Sequence, residues 1–523
     1  MQQAKILWVD DEIDLLKGHM MFLKEKNFEV ESASNGIDAL EMIKDQNYDI
    51  VFLDEQMPGM DGLTVLSEIK VVSPNTPVIM ITKSEEEQIM EDALGAQITD
   101  YLIKPVKPTQ ILLACKKVLD NKKLITQTVN SGYQQEFRNI AMQFFEDNDF
   151  QDWQDIYRKL IFWEGRMEEN EDKSMEEVLL NQLSEANTNF GRFVARNYLD
   201  WLHTSGNDKP LLSPEVIPHS VFPHLDGGYE SVFFILVDCL RYDQWRAFES
   251  IISDFFYINN EEAYFATLPT ATQYARNSIF SGLFPLDISR RYPKLWLNDD
   301  EEGGKNMHEA ELFAGLLKDH NLNLKHSYHK IITNEDGKNM ADQVLNLMHN
   351  DLNVLVYNFI DLLSHSRTEM NIIKELAPNE AAYRSISRSW LEFSPLLTLL
   401  KKLSQRNVKI ILTTDHGTIR VKKPVRIIGD RTTTTNLRYK QGKNLNYDEG
   451  AKHLFTVRKP SDALLPQSNV SSTYVFAMED HFFAYPNNYN YYVNYYKDTF
   501  QHGGISLEEM IIPIVELTPK NKF

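Results

Sequence analysis

The chain has 523 residues, 42% of them apolar and 25% charged, and a formal charge of -21. That length exceeds one compact core and predicts two or three domains, while the acidic balance argues against broad binding to nucleic acid, whose affinity comes from cations that displace phosphate counterions. No apolar run is long enough to cross a bilayer, no secretory signal is apparent, and the two cysteines, Cys115 and Cys239, make no disulfide framework, so a reducing cytoplasmic setting is expected.

From Ala4 to about Leu119 the segments KILWVDDE, FEVESAS, YDIVFLDEQMPGMDG, PVIMITKS and DYLIKPVKP read as five strands alternating with helical patterns. This βαβ grammar predicts a doubly wound parallel five-stranded sheet over residues 1–120, with its working residues at the carboxyl ends of the strands. Asp10 and Asp11 close the first strand, Asp54 the third, Thr82 the fourth, and Lys104 with Pro105 the fifth. A carboxylate accepts a phosphoryl group only where both charges are offset, which Mg²⁺ held by several oxygens can do. Asp11 and Asp54 would supply side-chain oxygens and Gln56 a backbone carbonyl, with Asp10 orienting the metal's water shell. Lys104 would pair with the phosphoryl oxygens and Thr82 would hydrogen-bond to one of them. The Lys104-Pro105 bond is a candidate cis peptide.

The motifs WVDDE, FLDEQMPGMDG, MITKS and YLIKPVKP make this segment resemble the response-regulator receiver family, a flavodoxin-like fold. The resemblance implies phosphorylation of Asp54 by a sensor histidine kinase. It also makes Tyr101, three residues before Lys104, the aromatic that turns inward as Thr82 moves toward the phosphoryl group.

Residues 121–206 contain no convincing strand and place apolar residues at helical spacing, as in FRNIAMQFF, WQDIYRKLIFW and VLLNQLSEANTNFGRFVARNYLDWL, which predicts a helical connector. Its acidic stretch EGRMEENEDKSMEE reads as a solvated helix face or a loop. Four prolines in KPLLSPEVIPHSVFPHL stop this pattern, and a second α/β region over residues 207–523 starts at SVFFILVDCLRYD. NVLVYNFID, VKIILTTDHG and MIIPIVEL are further strands, and IIGDRTTTTNLRYKQGKN reads as a loop.

Aspartate and histidine recur at the strand ends of this region: Asp238, Asp361 with His365, Asp415 with His416, and His502. Asp361 and His365 share a face if their segment is a helical turn, and Gly417 permits the turn that lets Asp415 and His416 converge. Three carboxylates and three imidazoles suit two zinc-like ions better than Mg²⁺ or Ca²⁺, which prefer all-oxygen shells. In LPTATQYARNSIFSG the chain leaves a strand through Pro269 and starts a helix near Thr272. A hydroxyl at Thr270 or Thr272 would therefore sit in the positive field of a helix start.

With these residues, 207–523 resembles the alkaline-phosphatase superfamily, within it the PglZ-like group. The resemblance implies one zinc ion on Asp238, Asp415, His416 and the nucleophile, and a second on Asp361, His365 and His502. It places the nucleophile nine residues before the hydroxyl residue of Ser281-Gly282, which selects Thr272. Where diesterase relatives carry an asparagine for a phosphoryl oxygen, this chain has Ala275 and Arg276, leaving Arg276 and Asn277 as candidate substrate donors. Thr272 would attack phosphorus, and water would then release the product from phosphothreonine.

Threonine in this role is, by resemblance, commoner in phosphodiesterases, and a small phosphodiester or an oligonucleotide is the expected substrate. Arg431, Arg438, Lys440 and Lys443 could meet its phosphates, and the tyrosines of NNYNYYVNYY its bases. Receiver, connector and PglZ-like domain together resemble the response regulators of type IX protein secretion. That resemblance implies contacts with a sigma factor or secretion-motor protein and a phosphorylation-promoted homodimer. No DNA-binding domain is expected. Two outputs stand side by side: a metal-dependent phosphodiesterase set by Asp54, and a protein-interaction switch with a mainly structural metal site.

Overall fold

The computed structural model describes residues 3–83, 98–169, 173–206, 208–299, 301, 303–363, 376–430, 433–448, 450–467 and 471–521, with the backbone alone at 120–128 and 173. They form two compact units, Met1–Gln134 and Gln135–Phe523. The division runs through one helix, Pro108–Gln143. Most of the expected helical connector, residues 121–206, falls within the second unit.

In the first unit, β1 (Ala4–Val9), β2 (Phe28–Ala33), β3 (Ile50–Asp54), β4 (Val78–Thr82) and β5 (Asp100–Ile103) form one sheet in the order β2-β1-β3-β4-β5. Every pairing is parallel. Strand alternation divides the core. Leu7 and Val9 face one apolar cluster with helices Gly36–Asp45 and Gly62–Val72, whereas Ile6 and Trp8 face another that includes Ile111, Ala114 and Cys115. Asn35 and Asp61 start those two helices by accepting from the amides of Asp38 and Thr64. The Lys104-Pro105 bond is cis.

In the second unit, β6 (Ser231–Val237), β7 (Phe256–Phe265), β8 (His326–Ile331), β9 (Leu352–Tyr357) and β10 (Val408–Thr413) lead the chain order. Five short strand elements follow as β11 (Ile419–Arg420), β12 (Lys423–Arg426), β13 (Tyr439–Gly442), β14 (Leu454–Val457) and β15 (Thr473–Ala477). After them come β16 (His481–Ala484), β17 (Phe500–Gln501) and β18 (Ile511–Pro519). The central sheet runs β7-β18-β10-β6-β9-β8. β10, β6, β9 and β8 are parallel, while β18 is antiparallel to both β10 and β7.

Two segments differ from their expectation, and a third takes a form that the sequence left open. The prolines at 210–223 do not abolish helix but cut it into short pieces, Ser213–Glu215, Val216–Ser220 and Phe222–His224, because proline fits a helix start and not its interior. The expected loop 427–444 contains β13, paired with β15. NNYNYYVNYY carries the helix Tyr489–Tyr496, with Tyr491, Tyr492 and Tyr495 exposed.

The helices Phe150–Glu168 and Glu176–Trp201 pack on the sheet domain through Trp153, Phe190, Phe193 and Trp201, the last meeting Phe265 edge-on at 5.5 Å. Polar contacts fix their register. Arg384 binds Glu164 at 3.0 Å and Asp243 at 2.5 Å. The Asn187 amide donates to both oxygens of Glu508 at 3.1 and 3.0 Å. Burial pushes the Glu508 carboxyl from its ordinary 4.5 up to about 7, against the pull of Arg241 and Asn187. A raised carboxyl pKa means that the folded chain holds this proton more tightly than the unfolded chain. The associated stability is full below 4.5 and is lost as pH rises through about 7. Melting temperatures of Glu508→Gln are therefore expected to fall less than those of the parent across that window.

Candidate active sites

At the carboxyl edge of the first sheet, Asp10 and Asp54 are buried and Asp11 is exposed, and their oxygens converge as a possible metal-holding group. Lys104 Nζ lies 2.8 Å from Asp54 Oδ1 and 3.1 Å from Asp10 Oδ2. Burial raises the Asp54 pKa, with Lys104 opposing the shift and Asp10 adding to it. Burial by itself would lower that of Lys104, yet its bonds to Asp54 and Asp10 raise it overall. The Thr82 hydroxyl donates to the Glu55 carboxylate. Tyr101 is exposed, and Gln56 borders the same opening as Asp11.

The second site lies at the carboxyl ends of β6 and β10. β6 ends at Val237, and Cys239 turns the chain at φ 67°, a strained value for a residue with a side chain. The turn sends the Cys239 amide to Asp415 Oδ1 at 3.2 Å and leaves Asp238 fully buried beside it. Oxygens of Asp238 and Asp415 and a ring nitrogen of His416 lie within 4.8 Å of one another. Gly417 follows because nothing larger fits: a Cβ there would lie 2.0 Å from the Glu508 carbonyl oxygen.

Thr272 is the first residue of the helix Thr272–Ser281, which ends on Gly282 at φ 66°. The helix start carries no side-chain cap, and the Thr272 hydroxyl instead lies 3.2 Å from His416 Nε2. Thr270 is occupied otherwise. Its hydroxyl donates to Gly504 O at 2.8 Å and accepts from the Gly503 amide at 3.1 Å. Thr270 therefore anchors the loop that bears His502.

The two described imidazoles are held alike. His416 Nδ1 meets Gly417 O at 3.2 Å and His502 Nδ1 meets Thr270 O at 3.2 Å, and the rings stack 4.4 Å apart with planes 17° from parallel. Backbone carbonyls at Nδ1 favour the tautomer that offers Nε2 as a ligand. Asp361, in the helical turn after β9, lies 3.8 Å from His502 Nε2. His365, expected on the same turn, falls outside the described residues, as does Arg431.

These donors fit divalent metal. Asp238 Oδ1 and Asp415 Oδ2 are buried without a hydrogen-bond partner, which is costly for a carboxylate unless a cation joins it. Burial pushes the Asp238 carboxyl well above its ordinary range despite Arg276. Asp415, for which burial acts in the same sense, is held below that range by His416, Arg276 and nearby amides.

Four candidate substrate contacts are placed elsewhere. Arg276 is fully enclosed, with Nη2 2.9 Å from Asp238 Oδ2 and Nε 3.0 Å from Glu309 Oε1. Asn277 is buried and donates to Lys305 O at 3.1 Å. Arg438 is buried against Glu509, and Lys440 lies in β13, donating to Thr434 O at 2.8 Å. All four are buried and bonded within the protein. Lys443 is half-buried. Glu309 and Asn358 contact Arg276, and Lys330 binds Glu309; none of the three was anticipated. A clue to Arg276 was its position four residues after Thr272, one turn along the same helix face.

A model described as the response regulator receiver domain matches residues 6–116, and one described as the PorX response regulator linker domain matches 123–202. A third, the BREX system PglZ alkaline phosphatase-like domain, matches 216–517. The transcriptional regulatory protein ResD of Bacillus subtilis (strain 168) is 36% identical over 117 residues, covering 22% of this chain and 48% of ResD. SrrA of Staphylococcus aureus (strain NCTC 8325 / PS 47) is 35% identical over 115 residues, 22% of this chain and 47% of SrrA. The chain thus spans about half the length of the curated relatives it matches. Among solved structures, the chemotaxis protein CheY4 of Vibrio cholerae is 28% identical, covering 22% of this chain and 99% of its own, with a TM-score of 0.22. Since the PglZ model alone spans more than half of the chain and the receiver and linker models account for most of the remainder, the chain belongs to the PglZ alkaline phosphatase-like family and is a PorX-like response regulator.

Proposed function

We propose that phosphorylation of Asp54 governs a two-zinc phosphodiesterase in the second unit, acting on small phosphodiesters or oligonucleotides in the cytoplasm and regulating type IX protein secretion. The observation that carries the enzymatic reading is the Thr272 hydroxyl, at an uncapped helix start and 3.2 Å from His416 Nε2, beside two buried carboxylates. A purely structural metal site has no use for that hydroxyl. Asp238, Thr272, Asp415 and His416 would hold one ion, and Asp361, His365 and His502 the other. When bound, the ions supply positive charge that eases ionisation of the hydroxyl and neutralises phosphoryl oxygens. Thr272 Oγ forms a bond to phosphorus as the bond to the leaving alkoxide breaks. Water then cleaves phosphothreonine and restores the hydroxyl. The exposed tyrosines of helix Tyr489–Tyr496, six residues before His502, are the candidate base-stacking surface.

In the receiver, Mg²⁺ fits Asp10, Asp11, Asp54 and the Gln56 carbonyl, and a histidine kinase is the phosphoryl source that such a domain implies. The Thr82 bond to Glu55 and the outward Tyr101 are the contacts that phosphorylation would exchange, favouring a homodimer. Sedimentation with a small-molecule phosphoryl donor and Mg²⁺ is expected to double the mass of the parent and leave Asp54→Ala monomeric. An unchanged parent mass would remove dimerisation from the account. Sigma-factor or secretion-motor binding stays within the proposal as a second output, to be read by pull-down with the same two proteins.

A further inference from the structure

Arg276 is a fully buried arginine among three acids. Its Nη2 lies 2.9 Å from Asp238 Oδ2, while its Nε lies 3.0 Å from Glu309 Oε1 and 3.4 Å from Asp415 Oδ2. Nη1 donates to Asn358 Oδ1 at 3.3 Å. Glu309 is itself held from behind, its Oε2 accepting from Lys330 at 2.9 Å and from Tyr328 at 2.5 Å. Glu309 thus pairs with the guanidinium by charge, without a hydrogen bond at Nε or Oε1, while Nη2 donates a hydrogen bond to Asp238.

The consequence falls on the oxygens left over. With Oδ2 of Asp238 taken by Arg276, Oδ1 is buried and without a hydrogen bond. In Asp415 the roles are reversed. Oδ1 accepts from the amides of Cys239 at 3.2 Å and His416 at 3.1 Å, and Oδ2 has no hydrogen bond. Each acid thus has one oxygen hydrogen-bonded and one without a hydrogen bond, the latter in Asp415 lying 3.4 Å from Arg276 Nε.

Resting on the two-metal reading, we infer that Arg276 is a positioning residue: braced by Glu309, it fixes Asp238 as a one-oxygen ligand and sets the affinity of the site for zinc, without touching the substrate. It reaches the reaction through Asp238. This role explains why the chain carries arginine one turn after its nucleophile, where a phosphoryl-oxygen donor was expected.

Zinc titration calorimetry of the full chain, against a competing chelator, tests the inference on the parent, Arg276→Gln, Arg276→Lys and Glu309→Gln. Near-UV circular dichroism of each metal-free protein shows which of them retain the fold. Zinc affinity is expected to fall about 10–100-fold in Arg276→Gln, the range for partners that orient metal ligands. Arg276→Lys should recover part of the loss, and Glu309→Gln should show a smaller loss, which keeps the inference testable if Arg276→Gln does not fold. At saturating zinc, KM for a phosphodiester should stay within about twofold of the parent. Removing a positive charge would by itself tighten binding of a dication. Equal or tighter zinc binding in folded Arg276→Gln or Glu309→Gln would therefore overturn the inference, as would a raised KM with unchanged zinc affinity, which marks a substrate contact. A parent that binds no zinc would instead sink the metal reading on which the inference stands.

Discussion

Replacing Thr272 with alanine is expected to lower zinc-dependent turnover of phosphodiesters by about 10³-fold or more, because the group that forms the first bond to phosphorus is gone. The fold should persist. Thr272 is only partly buried, and its hydroxyl makes its contact with His416 rather than with the backbone of its helix. Thr270 should behave in the opposite way. Its hydroxyl bonds to Gly503 and Gly504, so valine there should loosen the His502 loop while sparing the nucleophile. Rates for both variants with zinc, next to their thermal melts, separate the two threonines. Full turnover in Thr272→Ala would contradict the assignment.

The second large effect falls on stability. Arg438→Met is expected to cost the second unit about 3–5 kcal/mol, since it leaves the buried Glu509 carboxylate without its cation. The two side chains are fully enclosed and doubly bonded, Nε to Oε1 at 3.0 Å and Nη2 to Oε2 at 2.6 Å. Glu509 also accepts from the Gly504 amide at 2.9 Å and the Ser506 hydroxyl at 2.8 Å, so the pair ties down the chain just after His502. Urea unfolding of the metal-free chain measures the loss, with Lys443→Met as the control that should shift the midpoint little. An Arg438→Met protein of parental stability but weak substrate binding would restore the idea of a phosphate contact.

What could be read from the sequence divides by locality. The receiver residues were legible because each follows directly on an apolar strand, and a parallel sheet brings its carboxyl ends together whatever lies between. Asp238, Asp415 and His416 were legible on the same ground, since β6 and β10 are buried along their whole length. β7 was anticipated only as the strand that the chain leaves through Pro269, and its extent was hidden because FYINNEEAYF is polar through its middle and lies at the sheet edge, where one side meets water. Basic residues near 438 suggested a phosphate-binding loop, but composition does not reveal burial, and the acid that claims Arg438 stands 71 positions away. Arg276 illustrates the same limit. Its helix phase placed it beside Thr272, whereas Glu309 and Asp238 come from distant segments. The contact of Asn187 with Glu508, 321 positions apart, has no local signature at all.

The central claim is that Asp54 governs the chemistry at Thr272. Its most direct test is steady-state turnover of a phosphodiester by the zinc-loaded full chain, with and without a small-molecule phosphoryl donor and Mg²⁺, in parent and Asp54→Ala. A change in rate confined to the parent is the predicted result. The same rate in all four measurements, or an equal response in Asp54→Ala, would contradict the account.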